Sequence, residues 1–414
     1  MINVLRLSTR NLLRYKRRTL LTGLLITVGV VAVLLFGGLA GSFRTMMTES
    51  ITDSMLGHLQ IHQRGYVSSI ENLPLTMNLD ADQMERVTAV LDEMPGLIAY
   101  SPRVKLGGNL SNFKDTTNIR LNGVHPERED ETCPGLRDRI REGTADEELV
   151  KRDHLLLPQL LARGMDIGVG DTVVLVAGNR DGSVNGITVT VQAIIEGVTG
   201  PGGRDGYLHI DDARALLRME EPEVSEIAIR LENRALIPRA SALLERELDA
   251  YRDARDRPLY EIHTWDQLSP FANIARMIDI LMLAINVVLV CIVLISVMNV
   301  MIMAIYERVR EIGTLSALGT PSHRILGLFL GEGALLGLLG AMLGALISVA
   351  AILVLNVYPL NFAFGRQVLE LRPEIEPGAI GVVFVLVILV SVAATLQPAW
   401  KAARMNPVDA LRHV

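Results

Sequence analysis

The chain has 414 residues, half of them hydrophobic, with a formal net charge of −6 and a mean hydropathy of +0.33. That is too apolar for one soluble domain and too polar for a chain wholly sunk in lipid, so a few spanning helices plus at least one soluble domain are expected. The charge is divided, net −14 over residues 46–275 and net +8 over the rest, which separates a solvated acidic module from a basic membrane-proximal part.

Arg6, Arg10 and Arg14 recur every four residues and share a helical face, and Lys16, Arg17 and Arg18 follow. Residues 1–18 therefore predict a basic amphipathic helix on an anionic membrane surface. The apolar run that follows is too long for a signal-peptide core and predicts a first transmembrane helix over 19–45. Six Lys/Arg precede that span and only Arg44 follows it closely, which puts the N-terminus in the cytoplasm. Met46, Ile51 and Met55 keep near-helical spacing, so the helix is expected to run on as a stalk.

Residues 46–275 are soluble in character and, by that orientation, extracytoplasmic. The pattern predicts strands at 58–62, 117–123, 172–177, 187–195, 207–210, 225–231 and 259–263. It predicts helices from the Asp80 cap to Met94, over 155–165 after the start of that segment, from Asp211/Asp212 to Met219, and over 237–251. Gly178–Gly186 reads as a polar turn and Gly200–Gly206 as a flexible loop. Mixed helices and strands over this length point to an α+β module. His58 and His62 are four apart on a strand pattern, which reads as a surface pair rather than a metal site. Cys133 and Cys291 are too few for a zinc site and are not expected to pair.

The stretch from Arg276 to Arg324 changes character without loop chemistry. Its apolar run, Ile278 to Ile305, would be roughly 42 Å as a helix, longer than a ~30 Å hydrocarbon core. A second span over 276–306 should therefore emerge into the charged segment 307–324. A third span is expected over 325–357, with small residues four apart at Gly327/Gly331, Gly333/Gly337 and Gly340/Gly344 that permit close helix contact. A short outer loop, 358–377, a fourth span, 378–397, ended by Gln397-Pro398, and a cytoplasmic tail, 398–414, complete the reading. Asn286 and Asn299 lie in the second span and Glu332 in the third. Intramembrane polar groups are costly and usually face a protein interior. For Glu332 a structural hydrogen bond and a mechanistic role both stay open.

No phosphate-binding G-x-x-x-x-G-K-[ST] loop, H-E-x-x-H or G-x-S-x-G occurs, and nothing selects an acid/base pair, so no catalytic residue and no metal ligand is assigned.

Three segments carry a resemblance. Glu307-Arg-Val-Arg-Glu-Ile-Gly-Thr-Leu-Ser-Ala-Leu-Gly319 resembles the R-x-R-E-I-G/A-x-x-x-A-x-G signature of MacB/FtsX-like ABC transporter permeases. The ending from Pro398 to Arg412 resembles that family's P-A-x-x-A-A-x-x-x-P-V-x-A-L-R, and Arg10 to Thr22 is similar to its opening segment. The layout looks closest to the lipoprotein-releasing LolC/LolE type. The resemblance implies four transmembrane α-helices, one plus three, with a large α+β periplasmic domain between the first two, in a bacterial inner membrane. It implies a dimer with a second permease, identical or paralogous, served by separate ABC ATPase subunits that bind ATP and Mg²⁺. No cofactor is expected in this chain itself, and no nucleic-acid partner. Glu307, Arg308, Arg310, Glu311, Gly313, Leu315 and Gly319 would then form the coupling helix in the ATPase groove. The implied work is mechanotransmission that extracts lipoproteins or other amphiphiles from the outer leaflet, with a periplasmic chaperone as a further partner. An FtsX-like regulator of a cell-wall hydrolase and a MacB-like efflux permease are the alternatives. The hairpin that would grip a chaperone corresponds to Gly178–Gly186, which is short and lacks an apolar tip.

Overall fold

The computed structural model describes residues 16–145, 147–197, 205–253, 255–269, 271–358, 360–364, 367–374 and 377–406. Arg6, Arg10, Arg14, most of the loop Gly200–Gly206 and the closing residues from Pro407 lie outside them. The chain divides into two compact units, one of Met1–Thr45 with Ile274–Val414 and one of Met46–Asn273.

The first unit is helical. Helix α1 runs Lys16–Ile51, and Arg17 and Arg18 belong to its first turn. Four helical stretches are long and apolar enough to cross a membrane, at Thr19–Leu56, Asn273–Glu307, Ser322–Val357 and Pro377–Ala403. The third, 36 residues long, would extend about 54 Å at helical rise, well beyond the hydrocarbon layer. The fourth does not stop at Pro398. It continues to Ala403, because Pro398, Ala399 and Ala402 are buried and that packing outweighs the one backbone bond proline removes.

The second unit holds a ten-stranded mixed sheet among the described residues. Its strands are β1 Leu59–Gln63, β2 Leu97–Ser111, β3 Thr116–Val124, β4 Ile140–Gly143, β5 His154–Pro158, β6 Thr172–Gly178, β7 Val184–Ile195, β8 Asp205–His209, β9 Glu226–Leu231 and β10 Tyr260–Thr264. The order is β10-β1-β9-β2-β3-β8-β5-β7-β4, with β6 bridging β2 and β7. β3 with β8 and β5 with β7 are the parallel pairs, and each is joined by a crossover. Strand β2 is the spine, pairing with β9 at its start, with β3 along most of its length, and with β6 at its end.

Between the strands, α2 spans Ala81–Asp92, α3 Pro126–Thr132, α4 Gly135–Asp138, α5 Gln159–Gly164, α6 Ile210–Leu217, α7 Ile237–Leu248 and α8 Trp265–Leu268. A reciprocal capping box starts α2: Asp80 Oδ1 accepts from the Gln83 amide at 2.8 Å and Gln83 Oε1 accepts from the Asp80 amide at 3.2 Å. Val87 and Leu91 of α2, and Leu244 and Leu248 of α7, enter the core with Leu59, Ile61, Val104 and Ile229.

The 155–165 segment is helical after its start, as expected, and its opening is strand β5, because Leu155, Leu156 and Leu157 are all buried between β7 and β8. Two stretches outside the spans differ from what the sequence pattern predicts. Strand β2 is unforeseen, since Pro102, Arg103, Lys105, Gly107 and Gly108 interrupt its alternation. A hairpin of β11 Leu360–Phe364 and β12 Gln367–Leu371 lies in the stretch read as a short loop.

Candidate functional site

The charged segment after the second span is where sequence and geometry meet. Helix α9, Phe271–Glu307, breaks at Arg308, whose backbone leaves helical geometry at φ −115° and ψ 16°. Helix α10 restarts at Val309 and ends at Ala317. Gly319 then takes φ +83°, the Thr320 amide donates to Leu315 O at 3.0 Å and the Gly319 amide to Ser316 O at 3.0 Å. This is a glycine-terminated helix end, and the left-handed conformation explains why glycine sits there. Pro321 follows, and helix α11 begins at Ser322 and runs to Val357.

Helix α10 has two faces. Val309, Ile312 and Gly313 are buried. Arg310, Glu311, Leu315, Leu318 and Gly319 are exposed, as are Tyr306 and Glu307 just before the break. Leu318 is 79% exposed and Leu315 46%, so two large apolar side chains stand among charges on the outward face.

Arg308 does not join that face. Its side chain is buried and its Nη1 donates to Glu332 Oε1 at 2.9 Å. Expected at the coupling surface, it instead ties the α9–α10 break to α11, because the non-helical backbone at 308 turns it inward. Asn286, half-buried, donates Nδ2 to Met282 O of its own helix at 2.9 Å. Asn299, expected to face an interior, is exposed on the single chain.

The glycines of α11 set helix approach. A Cβ on Gly333 or Gly337 would lie 2.0 Å from Thr395 Oγ1 or 2.5 Å from Ser391 Oγ of helix α12, Pro377–Ala403. On Gly340 or Gly344 it would lie 2.6 Å from Ile26 Cγ2 or Val30 Cβ of α1. One stripe thus seats α12 and its continuation seats α1. At Gly327 a Cβ would meet nothing within 4 Å.

At one end of the helical unit lies a cavity of about 880 Å³. Val33, Leu34 and Ile352 give it apolar walls, while Asn286, Ser42 and Glu374 supply polar groups. Its room comes from Gly37, Gly38, Gly41 and Ser42 on α1, where larger side chains would fill the space. That size is at the upper end of ligand clefts, which hold roughly 300–1,000 Å³. The sequence reading passed over these residues, although three glycines and a serine within six positions of an apolar helix are a usable signal.

In the sheet unit, His58 and His62 are buried, not a surface pair. Both strand faces are covered, so alternation does not bring either to solvent. His58 Nδ1 accepts from the Leu231 amide at 3.0 Å, and burial lowers its pKa to about 4. His62 stacks on Tyr66, ring centroids 5.4 Å apart, with Nε2 3.5 Å from Glu226 Oε2. No group of three or more His, Cys, Asp or Glu suited to a metal occurs among the described residues.

One apolar helix, an inserted α/β domain and three further apolar helices define a membrane protein with an extracytoplasmic domain. The MacB-like periplasmic core domain family matches residues 19–247, and the FtsX-like permease C-terminal family matches residues 283–407. The chain belongs to this family of MacB/FtsX-type permeases, which are components of ABC transporters. The lipoprotein-releasing system transmembrane protein LolC of Neisseria meningitidis serogroup B is 22% identical over 410 residues, 94% of this chain and 92% of that protein. The macrolide export ATP-binding/permease protein MacB of Bordetella avium is 26% identical over 419 residues, 98% of this chain and 59% of that protein. MacB of Chromobacterium violaceum is 31% identical over 137 residues, 33% of this chain and 20% of that protein. The chain thus spans only 20% to 59% of the length of these MacB relatives.

Proposed function

We propose that this chain is the permease subunit of an ATP-driven transporter that extracts an amphiphile, such as a lipoprotein or lipid, from the outer leaflet of the bacterial inner membrane. Both termini are cytoplasmic and the sheet domain is periplasmic, the orientation the basic residues before the first span require. A separate ATPase docks on α10 through Glu307, Arg310, Glu311, Leu315 and Leu318, and a second permease completes the dimer. ATP-driven movement of α10 passes into α9 directly and into α11 through Arg308 and Glu332.

The observation that carries this reading is the 880 Å³ cavity, with contributions from all four spanning helices. An acyl chain needs apolar walls and a few polar groups for its head, and this cavity has both. A regulator that only relays movement has no use for such a chamber. The lipoprotein is the class in the name of the LolC relative, and a macrolide, as in that of MacB, is the second reading.

Gly41→Leu tests it. A Cβ there meets nothing within 4 Å, so the larger side chain can occupy the cavity without forcing the helices apart. The variant complex, reconstituted with its ATPase, should hydrolyse ATP yet fail to release a fluorescent diacylated lipopeptide from vesicles. Release at the wild-type rate would overturn the reading, and release of a macrolide alone would move the substrate to the efflux class.

A further inference from the structure

The carboxyl end of the first spanning helix is held in an unusual way. Helix α1 ends at Ile51 and gives one π-helical turn, Thr52–Leu56, before Gly57 turns the chain at φ +69°. A helix end leaves carbonyls without partners, and short-range caps or water normally satisfy them. Here the sheet domain supplies side-chain donors from far along the chain, all within the unit Met46–Asn273. Arg103 Nη1 donates to Met55 O, and Arg139 Nη1 donates to Ser54 O at 3.2 Å. The Cys133 thiol lies 3.7 Å from Thr52 O, which also accepts the Gly57 amide at 2.9 Å. Gly135 backs the turn so closely that a Cβ would stand 3.1 Å from Asp53 O.

Arg103, 2% exposed, uses every donor it has. Nε and Nη2 grip Glu129 at 2.9 and 2.7 Å, Nη1 also reaches Glu226 Oε1 at 3.1 Å, and Nη2 also reaches Cys133 Sγ at 3.0 Å. Lys105 Nζ meets Glu226 Oε2 at 2.9 Å, so two cations balance two buried carboxylates. Burial works against the charge on Arg103, and Glu129, Cys133 and Glu226 overcome it, holding its pKa well above the usual value. Burial works against the Glu226 carboxylate as well, and Lys105, His62 and Arg103 hold it below the usual range. Arg139 forks Nε and Nη2 onto Glu196 O at 3.0 and 2.8 Å, so it bridges the stalk to the end of β7.

Buried ion networks are poor sources of net stability, since packed apolar residues serve as well or better. What apolar residues cannot do is aim fixed donors at a helix end, where a cation also complements the helix dipole. We propose that Arg103 and Arg139 are positioning residues that lock the end of the first spanning helix to the sheet, so that a pull on the helix backbone reaches the domain without slack. The proposal rests on the ATP-driven transporter reading above and names the residues that would pass helix movement into the sheet.

The test uses the full chain in nanodiscs with spin labels at Ser50→Cys and Arg163→Cys, both exposed positions of the same unit. Cys291→Ala removes the exposed native thiol, while Cys133, buried and pushed up to about 12 by that burial, stays unlabelled. Two variants keep the fold in play. Arg103→Lys preserves the buried charge balance but loses the Nη1 hydrogen bond to Met55 O, and Arg139→Met strands no buried acid beyond Asp205, whose carboxyl burial already pushes up. The parent should give a narrow distance distribution and each variant one about twofold wider or more, at unchanged circular dichroism. Unchanged widths in both variants overturn the proposal. The distance needs neither substrate nor ATPase, so its outcome is separate from that of the function. In the reconstituted transporter both variants should hydrolyse ATP with transport reduced about tenfold, and full transport with widened distances would also overturn the coupling role.

Discussion

Arg308 Nη1 lies 2.9 Å from Glu332 Oε1, and both side chains are buried, 6% and 2% exposed. The pair fastens the one non-helical residue between α9 and α10 to the first third of α11. A buried pair of this kind is costly to break from one side, about 3–5 kcal/mol, because the remaining charge stays buried. Glu332→Ala or Arg308→Ala should therefore lower the yield and melting temperature of the detergent-solubilised protein sharply. Arg308→Met combined with Glu332→Leu should recover most of that loss. If the double variant melts as low as the singles, the pair is not the reason for the loss.

The glycine stripe of α11 makes a graded prediction. Gly337→Ala places a methyl 2.5 Å from Ser391 Oγ and Gly344→Ala one 2.6 Å from Val30, so each should cost about 1–3 kcal/mol by overpacking. Gly327→Ala meets nothing within 4 Å and should be neutral or slightly stabilising, alanine being the better helix former. Thermal unfolding in detergent reads the contrast, and equal behaviour at the three sites would show that close approach is not what glycine provides.

The outward face of α10 should be separable from the fold. Leu318→Asp changes a side chain that is 79% exposed, so folding should be unaffected. Loss of a central apolar anchor usually weakens an interface by more than 1 kcal/mol, and binding of the ATPase should fall about tenfold. Surface-immobilised permease titrated with ATPase measures this. A Leu318→Asp protein that binds as well as the parent removes α10 as the docking element.

His58 gives a pH dependence with a definite sign. Burial holds its folded-state pKa at about 4, below the ordinary 6.5. Above pH 6.5 the imidazole is neutral in both states, and its contribution is fully present. As pH falls from 6.5 towards 4 the unfolded chain takes up the proton first, so stability is lost, on the order of 3 kcal/mol in all, with no further loss from this group below 4. Protonation also removes the acceptor that the Leu231 amide uses at 3.0 Å. His58→Gln, which keeps an acceptor and does not titrate here, should flatten the difference in melting temperature between pH 6.5 and pH 4. A slope identical to the parent's would assign the dependence to other groups.

The membrane architecture was legible in the sequence because it rests on local physics. A backbone in hydrocarbon must satisfy its own hydrogen bonds, so long apolar runs become helices whatever surrounds them. The α10 motif was legible for a related reason, charges following an apolar run within one segment. The inserted domain was readable where one side chain decides, as at the Asp80 cap, and unreadable at β2, where Arg103 and Lys105 look like solvent-facing residues until β9 and α3 bring Glu226 and Glu129 to them.

What the sequence determined by itself was therefore the layout: four spans, an inserted α/β domain and a charged segment between the second and third spans, set by hydropathy, periodicity and charge order along the chain. Only the tertiary structure decided the partners. It turned Arg308 inward to Glu332, gave each half of the glycine stripe its own helix, opened a cavity beside Gly41, and placed Arg103 against Met55 O. Each joins residues distant in the chain, and the energy that selects one partner over another comes from burial and donor geometry, which exist only once the chain has packed.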